Sequence, residues 1–298
     1  MNEIVLQTIN LTKRFKNKVA VDKVNITLCL GDIYGFIGRN GAGKTTAMRL
    51  ILGLAFPDEG DVVFFGGEEK SKARKKIGSL IETPGLYKNC TAYENMKRFS
   101  ILSGGTDEDI KNCLELVGLS DTGNKKAGRF SLGMKQRLGI AIALLGNPEI
   151  MILDEPVNGL DPEGIKEIRD CILRLKEEKG VTFLISSHLL DELAKIVTKY
   201  GIINDGKLVE EISAEEIQKR CENGLKIVVD DGVKAEKILA DAFPEIEIKR
   251  KGNELLLPKS SVNSAAYGSL LVKSGVSVEE LATSGGGLED YFIERLGK

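Results

Sequence analysis

One stretch constrains this chain more than any other: Gly38-Arg39-Asn40-Gly41-Ala42-Gly43-Lys44-Thr45-Thr46. It follows the apolar run 33–37 and precedes a segment in which Met48, Leu50, Ile51 and Leu54 keep a helical spacing. Strand, tight loop and helix are therefore predicted in that order. The spacing is G-x-x-x-x-G-K-[ST]. Glycines let backbone N–H groups curl around an anion without side-chain clashes, and a helix starting near Lys44 adds the positive end of its dipole. Gly38, Asn40, Gly41, Ala42, Gly43, Lys44, Thr45 and Thr46 are the expected phosphate cradle. Lys44 is expected to reach the β- and γ-phosphates of ATP, and the Thr45 hydroxyl to bind Mg2+. A dinucleotide fingerprint is disfavoured, because G-A-G-K-T-T from Gly41 fails G-x-G-x-x-G at its last position. A guanine reader N-K-x-D is missing too, Asn124-Lys125-Lys126-Ala127 lacking the Asp. On the loop alone a small-molecule kinase stays open.

Around the loop the pattern alternates. Residues 4–9, 26–30 and 61–65 read as strands. From about 87 to 146 the pattern is mostly helical, with Ile110, Cys113, Leu114 and Val117 at i, i+3, i+4, i+7 forming one apolar stripe. Residues 150–153 are a continuous apolar run, expected as a buried strand, and 181–186 are expected as another buried strand. Residues 165–178 and 189–197 are expected helices, and 200–203 with 207–211 a hairpin around Asn204-Asp205-Gly206. Alternating strands and helices imply a mainly parallel sheet with helices on both faces. After Gly224 the pattern restarts: strand 225–229, helix 233–242, strands 246–250 and 254–257, helix 262–273, strand 276–281. That β-α-β-β-α-β order predicts a small α+β, ferredoxin-like domain over 224–298, and a chain of 298 residues has room for two domains.

Composition excludes several classes. A formal net charge of −2 argues against binding nucleic acid through bulk positive charge. The apolar stretch 138–145 is broken by Gly146, Asn147 and Pro148, well short of the roughly 17–25 residues that span a bilayer. No secretory signal is visible, so a membrane role is expected to come through a partner. The five scattered cysteines include no C-x-x-C pair and are expected as reduced, mostly buried thiols; a single histidine, His188, excludes a His-rich metal site.

The run 150–153 ends in Asp154-Glu155-Pro156, an apolar strand leading into two carboxylates. Asp154 is placed to hold Mg2+, and Glu155 to orient or deprotonate an attacking water. Ser131-Leu132-Gly133-Met134-Lys135-Gln136-Arg137 precedes another helix. By itself a serine there is an N-cap. In position it resembles the L-S-G-G-Q signature of ABC ATPases. The phosphate loop, this segment, Asp154-Glu155, Asn158-Gly159-Leu160-Asp161 and Ser187-His188 follow one another in the order those ATPases show.

The resemblance covers about residues 3–212. It implies an α/β P-loop NTPase of ABC type over 1–220, with a mainly parallel core, an antiparallel β part and a helical subdomain at about 87–146, followed by the α+β domain. Phe15 matches the aromatic that stacks on adenine, and His188 the switch histidine that hydrogen-bonds the γ-phosphate. Ser131, Gly133 and Met134 match the segment that meets ATP held by a second subunit, and Asp161 a residue that contacts that subunit. In this family two ATPase domains close head-to-tail over two ATP molecules, so one domain per chain implies a homodimer. Where the family usually places Gln beside the metal and the membrane partner, this chain has Glu82; its oxygen can still reach the metal, but it adds negative charge. Leu132 replaces the first glycine of the signature, where its side chain could crowd the nucleotide. Both departures, and the tail 288–296, look like the bacitracin and lantibiotic branch of ABC exporters. The resemblance then implies an ATP-hydrolysing subunit with Lys44, Glu155 and His188 as catalytic groups, using ATP and Mg2+. It would sit on the cytoplasmic face of the cell membrane against a separate permease and drive export of an antimicrobial peptide or other amphiphile. The rival is a non-transport ABC ATPase acting on ribosomes or DNA. Ribosome-acting members resemble two tandem ATPase domains, and DNA-repair members carry a long coiled-coil insertion between the positions of Lys44 and Asp154; this chain has neither. Residues 224–298 contain no His and no phosphate loop, so dimer support or docking is their expected role.

Overall fold

Two sheets of opposite character flank one short helix. The computed structural model describes residues 3–16, 18–188, 194–221, 224–257, 262–284 and 288–296. They divide into one unit that runs to Ala214 and is rejoined by Arg295 and Leu296, and a second unit from Glu215 to Glu294.

The first sheet of the first unit is antiparallel. Its central strand β1 (Ile4–Phe15) pairs with β2 (Lys18–Val24), β3 (Thr27–Cys29) and β5 (Glu59–Phe64). β1 is longer than the expected 4–9 because its second half has a partner: Leu11 faces Val24, Lys13 faces Val21 and Phe15 faces Lys18. The second sheet has the order β10-β9-β4-β8-β7-β6. In it β4 (Ile33–Ile37), β6 (Ile77–Leu80), β7 (Ile150–Asp154), β8 (Thr182–Ser187) and β9 (Lys199–Asn204) are parallel, and β10 (Lys207–Ser213) is antiparallel. β4, β7 and β8 are buried at every position, which is why β4 and residues 150–153 of β7 read as continuous apolar runs and β8 has an unbroken apolar centre, Phe183-Leu184-Ile185, rather than an alternating pattern. The β9–β10 turn uses Asp205 and Gly206 at φ 45° and 79°, the two positive values that match the twist of a tight hairpin.

α1 (Lys44–Leu52) lies between the sheets. Its Ala47, Met48, Leu50 and Ile51 share one buried cluster with Leu6, Leu11 and Val24 from the antiparallel sheet and Phe36, Ile152 and Leu184 from the parallel one. Each large side chain in that cluster contributes about 1.5–3 kcal/mol by leaving water. The helix that starts at the phosphate loop is thus fixed from both sides.

After the short α2 (Lys70–Ala73) the helical segment contains α3 (Ala92–Ser103), α4 (Asp107–Leu116) and α5 (Leu132–Leu144). α3 and α4 each begin with a reciprocal capping box, Thr91 with Glu94 and Thr106 with Asp109. The predicted stripe of Ile110, Cys113, Leu114 and Val117 is buried. α6 (Pro162–Lys179) starts on an Asp161 cap with proline at its first position. The helix expected at 189–197 falls largely outside the described residues. Among those described, no helix is long and apolar enough to cross a membrane.

The second unit carries β11 (Gly224–Val229), helix Gly232–Ala242, β12 (Lys249–Lys251), β13 (Glu254–Leu257), helix Ser264–Lys273 and β14 (Val278–Ser284). The sheet is antiparallel with order β12-β13-β11-β14. Leu225, Ile227, Val229, Leu255 and Leu257 alternate inward and bury Leu239, Tyr267 and Leu271 of the two helices. The division between units falls at 214/215, so nearly all of helix Ala214–Arg220 goes with the second unit rather than the first.

All five cysteines are free thiols; Cys113 and Cys171 are buried and the other three are half-buried. Burial pushes the Cys113 thiol up to about 11 and that of Cys171 to about 12, leaving both chemically quiet.

Candidate functional site

Parallel strands end on the same edge, and that edge gathers the expected residues. β4 lies beside β8, with Ile37 level with Ser187, and β8 lies beside β7, with Asp154 level with Ser186. The loop after β4, the carboxylates after β7 and His188 after β8 therefore arrive side by side.

The loop has the conformation that its glycines permit. Gly41 and Gly43 have φ 81° and 108°, and a Cβ on Gly43 would lie 2.3 Å from the Ala20 carbonyl oxygen. A Cβ on Gly38 would lie 2.4 Å from the Ile203 carbonyl oxygen. Gly38, Ala42 and Gly43 are buried, while Asn40 and Gly41 are exposed and Thr45 and Thr46 half-buried. α3, α4, α5 and α6 are each capped by a side chain, whereas Gly43 caps α1 without one, and the first turn of α1 has no acidic residue. Backbone donors at a helix start with no side chain to satisfy them suit a phosphate.

Lys44 is only 4% exposed. Its Nζ donates to the carbonyls of Gly38 at 2.7 Å and Arg39 at 3.3 Å, and lies 3.0 Å from Glu155 Oε1. The other oxygen of Glu155 is 2.6 Å from His188 Nδ1. Glu155 has φ 50°, a left-handed conformation rare for a non-glycine residue, so the chain turns sharply where the strand ends. The Thr45 hydroxyl donates to Asp154 Oδ2 at 2.8 Å. Those two hard oxygen donors fit Mg2+. When bound, such a metal would neutralise phosphate charge; the chain's own part is to hold the two oxygens together.

Other expected residues sit apart from this cluster. The Glu82 carboxylate is exposed and paired with Arg49 at 2.5 Å, so its negative charge is met by a guanidinium one helical turn beyond Thr45. Phe15 ends β1 half exposed, with Lys13 Nζ 5.6 Å from its ring centroid; its strand neighbour Lys18 is two residues from Ala20, which touches Gly43. Ser131 caps α5 by accepting the Met134 N–H at 3.2 Å. Ser131, Leu132, Gly133 and Met134 line an open groove of about 560 Å³ with Gly159, Asp161 and Gly164, and no residue of Gly38–Thr46 lines it. Leu132 leans on Gly159 and Asp161 accepts the Gly164 N–H at 3.1 Å. The phosphate cradle and the Ser131 groove are thus two separate surfaces of one chain.

Two residues that the sequence reading passed over belong here. Arg49 could have been found by its spacing, four residues beyond Thr45 on the same helix face. Ser186, a buried hydroxyl near the end of β8, bonds to both Asp154 and Glu155.

Comparison with known proteins decides the family. The ABC transporter family pattern matches residues 21–158. The chain is 41% identical to the bacitracin transport ATP-binding protein BcrA of Enterococcus faecalis, over 99% of this chain and 97% of that protein. It is 42% identical to the BcrA of Bacillus licheniformis over 98% and 97%. With the lantibiotic transport ATP-binding protein SrtF of Streptococcus pyogenes it shares 44% over 70% of this chain and 90% of that one. This chain belongs to the ABC transporter ATP-binding proteins. Among solved structures, an ATP-binding cassette of an ABC transporter in its ADP conformation matches with TM-score 0.66 and 30% identity, covering 73% of this chain and 94% of the cassette. A dimeric cassette bound to ADP and Pi matches with TM-score 0.61 and 26% identity, covering 70% and 98%. The chain is accordingly an ATP-binding ABC ATPase with the ABC α/β fold and a small α+β unit.

Two glycine substitutions separate cradle from groove. Gly43→Ala forces a Cβ against a backbone carbonyl at an unfavourable φ, and should lower the melting temperature by roughly 5 °C or more. In Gly133→Ala the new Cβ meets nothing closer than 3.7 Å. That variant should melt within roughly 2 °C of the parent. It should also bind ADP unchanged as an isolated chain. Thermal melting and ADP titration check both.

Proposed function

We propose that this chain is the ATP-hydrolysing subunit of an exporter of antimicrobial peptides or similar amphiphiles. It docks on the cytoplasmic side of a separate permease and works as a head-to-tail homodimer. The observation that carries the catalytic part is the convergence of Lys44, Thr45, Asp154, Glu155 and His188 on one sheet edge. Near full-length likeness to two bacitracin transport proteins supports the cargo class.

The chemistry is in-line attack of water on the γ-phosphate, where positioning and charge stabilisation do most of the work. The loop amides and Lys44 hold the phosphates. Asp154 and Thr45 would hold Mg2+, which would shield phosphate charge. Glu155 exchanges its contact with Lys44 for the attacking water, and His188 stays beside it to face the γ-phosphate. The Ser131–Met134 groove of one copy covers the cradle of the other. That arrangement accounts for a groove that shares no lining residue with the phosphate loop. The exposed Phe15 ring stacks on adenine.

The test is resistance. Expressed with its permease in a sensitive host, the chain should raise the tolerated bacitracin or lantibiotic concentration several-fold. The same pair carrying Glu155→Gln should not. Equal tolerance in both hosts would count against the transport assignment.

A further inference from the structure

We propose that Ser186 is a positioning residue that sets both carboxylates of the site at once. The inference rests on the reading of Asp154 as metal-holding and Glu155 as water-preparing. Ser186 is fully buried near the end of β8, level with Asp154 on the neighbouring parallel strand. Register partners on adjacent parallel strands present their side chains to the same face, so the hydroxyl meets the carboxylate.

Its two hydrogen bonds have determined directions. A carboxylate only accepts, so the hydroxyl proton goes to Asp154 Oδ1 at 2.5 Å. A backbone N–H only donates, so the same oxygen accepts the Glu155 N–H at 2.9 Å. The hydroxyl is thereby fixed in rotation by the two residues it joins. One bond turns the Asp154 carboxylate so that Oδ2 meets the Thr45 hydroxyl at 2.8 Å, the pair assigned to the metal. The other pins the backbone of Glu155 at φ 50°, a conformation that a non-glycine residue keeps only when its surroundings hold it. That turn sends the Glu155 side chain back to Lys44 and His188. Without the hydroxyl, the buried Asp154 Oδ1 and the Glu155 N–H both lose a partner. The carboxylate can then rotate and the turn can relax.

Partners of this kind, one bond removed from a metal ligand, typically change metal affinity by about 10–100-fold. The experiment is titration of a fluorescent ADP analogue in EDTA and then with increasing Mg2+, on the parent chain and on Ser186→Ala. In EDTA the two should agree within about twofold, because loop amides and Lys44 carry phosphate binding. The Mg2+ concentration for half-maximal enhancement should rise by about 10–100-fold in the variant. In ATP hydrolysis at saturating Mg2+, kcat should fall about tenfold or more while KM stays within about threefold. Thr182→Ala removes another buried hydroxyl from the same strand, one that accepts the Gly31 N–H, and should leave the Mg2+ midpoint unchanged. Ser186→Cys keeps the shape with weaker hydrogen bonds and should fall between serine and alanine; it also serves if Ser186→Ala is too unstable to purify. A parent that responds to Mg2+ with a Ser186→Ala midpoint indistinguishable from it overturns the proposal. So does an equal shift in Thr182→Ala. A parent whose ADP affinity ignores Mg2+ counts instead against the metal-holding role of Asp154.

Discussion

Glu155→Gln will bind ATP and turn it over about a hundredfold or more slowly, the scale expected when a positioned general base is lost. The amide has the shape of the carboxylate, so the turn at φ 50° and the neighbouring contacts can persist. What disappears is the charge that would draw a proton from water. A second consequence comes from the contact between Glu155 Oε1 and Lys44 Nζ at 3.0 Å. In the parent, a phosphate competes with that carboxylate for the ammonium. A neutral amide competes less, so ATP affinity should be equal to or tighter than the parent's. Slow turnover with undiminished affinity lets an ATP-bound dimer accumulate, at twice the 32.5 kDa of one chain by light scattering. Turnover near the parental rate would remove Glu155 from its assigned role. A monomer that holds ATP firmly would remove the sandwich dimer instead.

The site was legible wherever chemistry demands a residue type at a fixed spacing. Gly38–Thr46 needs glycines, a lysine and a hydroxyl in one order, and the order in which that loop, Asp154-Glu155 and Ser187-His188 follow one another already resembled an ABC ATPase. Contacts set by packing between distant segments were not legible. β2 reads Lys-Val-Ala-Val-Asp-Lys-Val, half exposed, and owes its strand to pairing with the far half of β1 rather than to its own pattern. β6 is four residues long and contains Gly78, which the fold tolerates because a Cβ there would lie 2.1 Å from the Ala143 carbonyl oxygen of α5. A glycine that weakens a strand by propensity is required by its neighbour. Glu82 was legible as a departure from a family pattern, but its Arg49 partner depends on how α1 faces the segment after β6. Ser186 was hidden because β8 also carries the hydroxyls of Thr182 and Ser187, and nothing in the sequence pattern singles out one of the three. The α+β unit was legible as an order of elements, and its strand ends moved by a few residues, as ends set by pairing partners do.

Lys44→Ala is the complementary case and should weaken both ATP and ADP by about 10–100-fold, the scale of a lost charge-assisted bond to phosphate. Lys44 is the first residue of α1, so its ammonium sits at the positive end of the helix dipole, a place that disfavours it. Two loop carbonyls and Glu155 hold it there, buried to 4% exposure. A cation kept against the dipole has its use in an incoming anion. Removing it also removes the unfavourable end charge, and Glu155 keeps His188 as a partner, so the fold itself should lose little. The direct measurement is the rise in melting temperature caused by ADP with Mg2+: present in the parent, nearly abolished in Lys44→Ala. Lys44→Arg should fail as well, because a planar guanidinium does not replace a compact ammonium inside this cradle. The two variants act on opposite ends of one ion pair and should move affinity in opposite directions, up or unchanged for Glu155→Gln and down for Lys44→Ala. An ADP-induced shift in Lys44→Ala as large as the parent's would mean that phosphate does not meet Lys44, and the cradle assignment would fall with it.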